Sequence, residues 1–146
     1  MNAMIVDSSA LPEQVVRDAV MSAFDSAGQR CSALRVLYLQ DDVADRMLTM
    51  LKGAMLELEL GDPLEFATDI GPVIDEAAET SLNAHKARMR REAKELLDLP
   101  IPSSCRQGTF VSPAVYEIDG IHRLEREVFG PILHVVRYQR DRLDQV

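Results

Sequence analysis

The run Val36-Leu37-Tyr38-Leu39 constrains the fold of this chain more than any other stretch. Four consecutive apolar, strand-forming residues cannot alternate between core and solvent, so their strand must be covered on both faces, as in a parallel sheet flanked by helices. The neighbouring segments agree. Upstream, Pro12-Glu13 supplies a helix start, and Val15, Val16, Ala19, Val20, Ala23 and Phe24 recur at helical spacing against a polar face of Glu13, Gln14, Arg17 and Asp18. Gly28 is expected to stop that helix as a left-handed C-cap. Downstream, Asp41-Asp42 is expected to end the strand and cap a second helix. The stripe of that helix is Val43, Met47, Leu51, Ala54, Met55 and Leu58, and Gly61-Asp62-Pro63 is its expected terminator.

The remaining segments continue the alternation. Met4-Ile5-Val6-Asp7 reads as an opening strand, and Asp75 to about Arg91 as an exposed, largely polar helix. The basic cluster from Lys86 to Arg91 has acidic neighbours at Glu92 and Glu95, which favours a solvated face over a binding patch. Glu95 to Leu99 is too short for periodicity to decide between helix and strand. Pro113 marks Thr109-Phe110-Val111 as an edge strand or strand end. A final strand is expected at Ile132-Leu133-His134-Val135-Val136. Strands alternating with helices predict an α/β fold, a mostly parallel open sheet flanked by helices. With 146 residues and 47% apolar composition, one domain can bury a core. Ligands in such sheets are expected at the carboxyl ends of strands and at strand-to-helix loops.

Composition narrows the function. A formal charge of −8 argues against a nucleic-acid or anionic-membrane surface, which would need a clustered basic face. No apolar run approaches the roughly 20 residues of a membrane-spanning helix. Cys31 and Cys105, far apart and with no signal peptide upstream, read as reduced thiols of a cytoplasmic protein. His85, His122 and His134 are isolated in sequence from one another and from the cysteines, so no metal site is expected.

Cys31 is the candidate for chemistry. A lone cysteine is more often a small buried hydrophobe than a nucleophile. Here it follows the polar turn Gly28-Gln29-Arg30, and Arg30 or Arg35 would favour a thiolate if either guanidinium approached the sulfur. No histidine stands nearby in sequence to act as a base, so a Cys-His hydrolase is poorly supported.

Phe24 to Arg35 resembles the catalytic-cysteine segment of the aldehyde dehydrogenase superfamily, and Glu127-Val128-Phe129-Gly130-Pro131 resembles its second cofactor motif. Asp69 to Asp75 and Gly108 to Pro113 resemble intervening family segments, so the likeness covers the whole chain. Asn2 to Val15, with Gln29 to Arg35, is most similar to the L-glutamate-γ-semialdehyde (pyrroline-5-carboxylate) dehydrogenase branch found in bifunctional bacterial proline-utilisation flavoproteins.

The resemblance implies that Cys31 is the nucleophile, passing through a thiohemiacetal and a thioester. It also implies that Glu127 binds the ribose beside the nicotinamide of NAD or NADP, that Phe129 packs near that ring, and that Ser32 contacts the substrate carboxylate. A local loop hydrogen bond is an equal alternative for Ser32, and Cys105 is a bystander. FAD would belong only to a separate proline dehydrogenase domain of a bifunctional parent, itself expected to be a homo-oligomer acting on a small aldehyde. Residues 1–146 are then expected to be part of a catalytic domain, lacking the family's Glu-x-Gly-Gly base segment and its Rossmann-like cofactor domain, and inactive alone. The competing reading is a non-catalytic α/β interaction module or remnant with a redox-sensitive thiol.

Overall fold

The computed structural model describes residues 1–146 as one five-stranded sheet with three α-helices. The strands are β1 (Asn2–Val6), β2 (Leu34–Gln40), β3 (Lys94–Asp98), β4 (Ala114–Glu117) and β5 (Ile132–Tyr138), and the helices are α1 (Pro12–Phe24), α2 (Asp41–Leu56) and α3 (Glu76–Glu92). Spatial order is β1-β2-β5-β4-β3. All pairings are parallel except that of β3 with β4 at one edge. The apolar run lies in β2, where every residue from Leu34 to Gln40 is buried, as a strand covered on both faces must be. Its partner β5 is buried at all but Arg137.

Helices α1 and α2 pack on each other and on β2 and β5, while α3 packs on β3 and β4. The buried face of α1 is Val16, Ala19, Ala23 and Phe24, and that of α2 is Ala44, Met47, Leu48, Leu51 and Met55. These residues join one core with Val36, Leu39, Ile132 and Leu133 of the central strands. Each large side chain fully buried there contributes about 1.5–3 kcal/mol relative to exposure.

Local details differ from expectation in five places. Helix α1 ends at Phe24 with Asp25 as its C-cap, not at Gly28. After it come three consecutive left-handed residues, Ser26, Ala27 and Gly28, with φ of 56°, 50° and 62°. Helix α2 starts directly from the strand with Gln40 as N-cap, and Asp41 and Asp42 instead occupy its first turn, where the helix dipole favours negative charge. It stops at Leu56, short of Gly61.

The fourth difference is Lys86, which is not on a solvated face. It is buried, with Nζ 2.7 Å from Asp98 Oδ1 and 3.1 Å from the carbonyl of Ser112, so it staples α3 to β3 and to the approach to β4. Burial is the main cause pulling its pKa down, and Asp98 opposes that. Residues 95–98, undecided from sequence, fall in β3. Thr109-Phe110-Val111, expected as an edge strand or strand end, is loop, and Pro113 falls in that loop immediately before β4, which lies between β5 and β3 in the sheet.

Candidate active site

Cys31 lies on the exposed turn that leads into β2. Glu127-Val128-Phe129-Gly130-Pro131 leads into β5, the neighbouring strand. Both segments therefore sit at the amino ends of parallel strands, not at the carboxyl ends where ligands were expected. The reason is topological. The turn after α1 and the loop before β5 converge at the sheet's central pair, and Gly28 packs backbone to backbone on Gly130.

A Cβ on Gly28 would meet Gly130 O at 2.2 Å and Ala23 O at 2.7 Å, so glycine is required there by contact as well as by its positive φ. On the other side, a Cβ on Gly130 would meet Leu82 Cδ2 at 2.3 Å, which brings α3 against the same loop. Asn2 holds the turn from β1, donating from Nδ2 to the carbonyls of Cys31 at 2.6 Å and Ala33 at 3.3 Å. Gln29 Oε1 accepts from the Ile74 N–H at 2.8 Å, and Val73 N–H donates to Thr109 O at 2.8 Å. The four sequence segments singled out above thus form one hydrogen-bonded and packed assembly.

Arg35 lies at its centre. The side chain is buried, Nη1 donates to Gly130 O at 3.1 Å, and Nη2 donates to Arg30 O at 3.1 Å. Nε stands 3.6 Å from Glu127 Oε1, too far for a hydrogen bond, and both atoms are buried without a hydrogen-bond partner. The guanidinium carbon lies 5.2 Å from the centroid of the Phe129 ring. Burial lowers the Arg35 pKa and Glu127 pulls it back up, which leaves the group cationic. Arg30 caps α1, donating from Nη2 to Met21 O at 3.0 Å. Both arginines considered as thiolate partners are thus committed elsewhere, to backbone carbonyls and to Glu127.

Cys31 keeps an exposed side chain, and its own N–H enters no backbone hydrogen bond. That N–H is free to donate to a developing oxyanion. Ser32 is exposed beside it, and the bonds that secure the turn are made by Asn2, by Arg35 Nη2 to Arg30 O and by Ala33 N–H to the same carbonyl at 3.1 Å. Cys105 is buried, its thiol 3.6 Å from Leu60 O, as a bystander would be. Glu127 and Phe129 line a cleft of ≈ 250 Å³ with Ser81, Leu82 and His85.

One feature lay outside the sequence reading. His85 of α3 and His134 of β5 face each other with Nε2···Nε2 at 2.9 Å, and His134 Nδ1 is 3.1 Å from Arg35 O. A carbonyl only accepts, so His134 carries its proton on Nδ1. Its Nε2 is then the acceptor, and His85 Nε2–H the donor. Burial, the largest cause for each, pulls both pKa values down to about 4. No cluster of three or more metal-ligating side chains accompanies the pair.

Residues 1–145 match the model of the aldehyde dehydrogenase family. The chain belongs to that family. It is 55% identical along its whole length to the bifunctional protein PutA of Klebsiella aerogenes, of which it spans 12%. It is 54% identical, with a TM-score of 0.94, to the crystal structure of a variant of Bradyrhizobium japonicum PutA, covering 99% of this chain and 14% of that one. A 1-pyrroline-5-carboxylate dehydrogenase of Geobacillus thermodenitrificans is 32% identical over 90% of this chain and 26% of its own length. The chain thus covers only a small part of the relatives it matches, within their aldehyde dehydrogenase module. No helix is long and apolar enough to cross a membrane.

Proposed function

We propose that this chain is the nucleophile-bearing part of the catalytic domain of an NAD(P)-dependent aldehyde dehydrogenase that oxidises L-glutamate γ-semialdehyde to glutamate, the second step of proline catabolism. One observation carries the reading. Through Arg35 the chain joins a thiol on an exposed turn to the part-exposed carboxylate of Glu127, whose oxygens accept no hydrogen bond and have only Arg35 Nε and the Met1 ammonium, each at 3.6 Å, as charged neighbours. The substrate assignment draws on the PutA and pyrroline-5-carboxylate dehydrogenase relatives.

Cys31 Sγ attacks the aldehyde carbon to give a thiohemiacetal, and the uncommitted Cys31 N–H donates to its oxyanion. The part-exposed Glu127 carboxylate and the half-exposed Phe129 ring, which line one cleft, suit the ribose and nicotinamide end of NAD or NADP, with the exposed side of the carboxylate accepting ribose hydroxyls and Phe129 packing at the ring. When bound, the cofactor supplies the hydride acceptor. Loss of hydride leaves a Cys31 thioester, which water hydrolyses to release the carboxylic acid and regenerate the thiol. Sulfur suits both steps, as a strong nucleophile near neutral pH and a good leaving group. Ser32 Oγ donates to the carboxylate at the far end of the substrate.

The general base and the main cofactor domain belong to the rest of the enzyme, residues 1–146 being one piece of the catalytic domain in a cytoplasmic, homo-oligomeric parent. If that parent is bifunctional, FAD serves only its separate proline dehydrogenase domain. Loss of a general base costs about 10²–10⁴ in rate, so the isolated chain is expected to show no turnover. The test is made in the full-length enzyme. Cys31→Ser should abolish semialdehyde oxidation, Glu127→Gln should raise KM for the nicotinamide cofactor, and Ser32→Ala should raise KM for the semialdehyde about tenfold. Wild-type turnover in Cys31→Ser would overturn the mechanism. Faster oxidation of uncharged alkyl aldehydes than of the semialdehyde would overturn the substrate.

A further inference from the structure

We propose that Arg35 is a positioning residue that couples occupancy of the Glu127 carboxylate to the conformation of the Cys31 turn. The proposal rests on the functional reading above and adds a link between its two halves. One guanidinium holds the carbonyl of Arg30, the residue before the nucleophile, and the carbonyl of Gly130, in the loop that carries Glu127 and Phe129. Its two Nη atoms hold these carbonyls, 3.1 Å away in each case. The third nitrogen, Nε, is a buried donor aimed at nothing nearer than Glu127 Oε1 at 3.6 Å.

Arg35 is buried and Glu127 only half-buried, and an ion pair left slack at a buried guanidinium is an unusual arrangement, because an unmade hydrogen bond to a charged group forfeits much of what the pair could contribute. The slack has a use. A hydroxyl delivered to Glu127 draws the carboxylate toward the ligand, and the guanidinium must follow or re-pair, shifting the strength of its hold on Arg30 O. The backbone of Arg35 cannot absorb that movement freely, since its carbonyl accepts from His134 Nδ1–H, and His134 is itself fixed by His85. The side chain alone can respond, and the turn carrying Cys31 is what it touches.

The coupling is read on the thiol, without turnover, in the full-length enzyme. The rate of Cys31 alkylation by iodoacetamide is measured with and without saturating ADP-ribose. That probe offers the ribose hydroxyls to Glu127 and leaves the thiol uncovered because it lacks nicotinamide. Cys105 serves as the internal reference. ADP-ribose should change the Cys31 rate at least about fivefold in the wild type. The change should vanish in Arg35→Lys, which keeps the charge and loses the fork, and in Glu127→Gln, which keeps the shape and loses the charge.

An unchanged rate in the wild type overturns the proposal, as does an equal change in wild type and both variants. Should Arg35→Lys fail to fold, Glu127→Gln, at a half-buried position, decides alone. The functional reading fails separately, through retained turnover in Cys31→Ser.

Discussion

Mild acid should loosen this fold through a single pair of rings. His134, on the central strand β5, is held neutral chiefly by burial, with His85, Arg88 and Arg35 adding repulsion against its proton. His85 is held neutral by burial too, with Arg88 and Arg126 adding repulsion and only Glu92 opposing. Both folded-state pKa values stand at about 4 against an ordinary 6.5. The unfolded chain therefore binds more protons between those limits, so stabilisation is complete above about pH 6.5 and is lost as pH falls toward about 4. For His134 alone, linkage gives a loss of about 2 kcal/mol between about pH 7 and about pH 5. His85, only half-buried, adds less because water screens its charge.

Urea midpoints at the two pH values measure the loss. His134→Asn, whose side-chain amide occupies the Nδ1 position, can still donate to Arg35 O but cannot titrate, and it should show a lower midpoint near neutrality with a flatter pH dependence. Nitrogen NMR of the imidazoles should find the proton of His134 on Nδ1 and that of His85 on Nε2. A wild type whose midpoint is unchanged between the two conditions would refute the reasoning, as would an equal fall in His134→Asn.

Gly28→Ala should cost at least about 3 kcal/mol by thermal or urea unfolding, because strain at positive φ adds to a backbone collision with Gly130. Ser26→Gly, at an exposed residue with φ of 56°, should instead raise stability by up to about 1 kcal/mol in the same assay. Lys86→Ala should lower stability by about 3–5 kcal/mol, since it strands the Asp98 carboxylate, and a loss under about 1 kcal/mol would contradict the burial described. In the native protein Cys31 should be alkylated well before Cys105, with equal rates counting against the assigned exposures.

What could be read from the sequence was what nearest neighbours and periodicity encode. The Val36–Leu39 run announced a doubly covered strand, and α1 was legible from Pro12 to Phe24 because its apolar stripe is dense and its N1 proline unambiguous. Gly28 was misplaced as a cap because two non-glycine residues, Ser26 and Ala27, share the left-handed conformation ahead of it, which no propensity suggests. Lys86 looked solvated because its partners, Asp98 and Ser112, lie on other elements. The histidine pair, 49 residues apart, leaves no local signal. The site's two motifs could be picked out individually, but their position at the amino ends of the strands depends on how α1 and the loop before β5 converge.

The pairing of β2 with β5 has a kinetic consequence. Arg35 and the Gly130 carbonyl it holds are 95 residues apart, and between them the chain must complete α2, α3, β3 and β4. Closing so long a loop is entropically slow, so the central strand pair should form late, after the helices and the β3–β4 hairpin-like edge are in place. During synthesis Cys31 emerges well before the Gly130 loop that packs against its turn. The turn that carries Cys31 should be among the last parts of this chain to reach its final shape, because Arg35 and the Gly130 loop fix it only once β5 has docked.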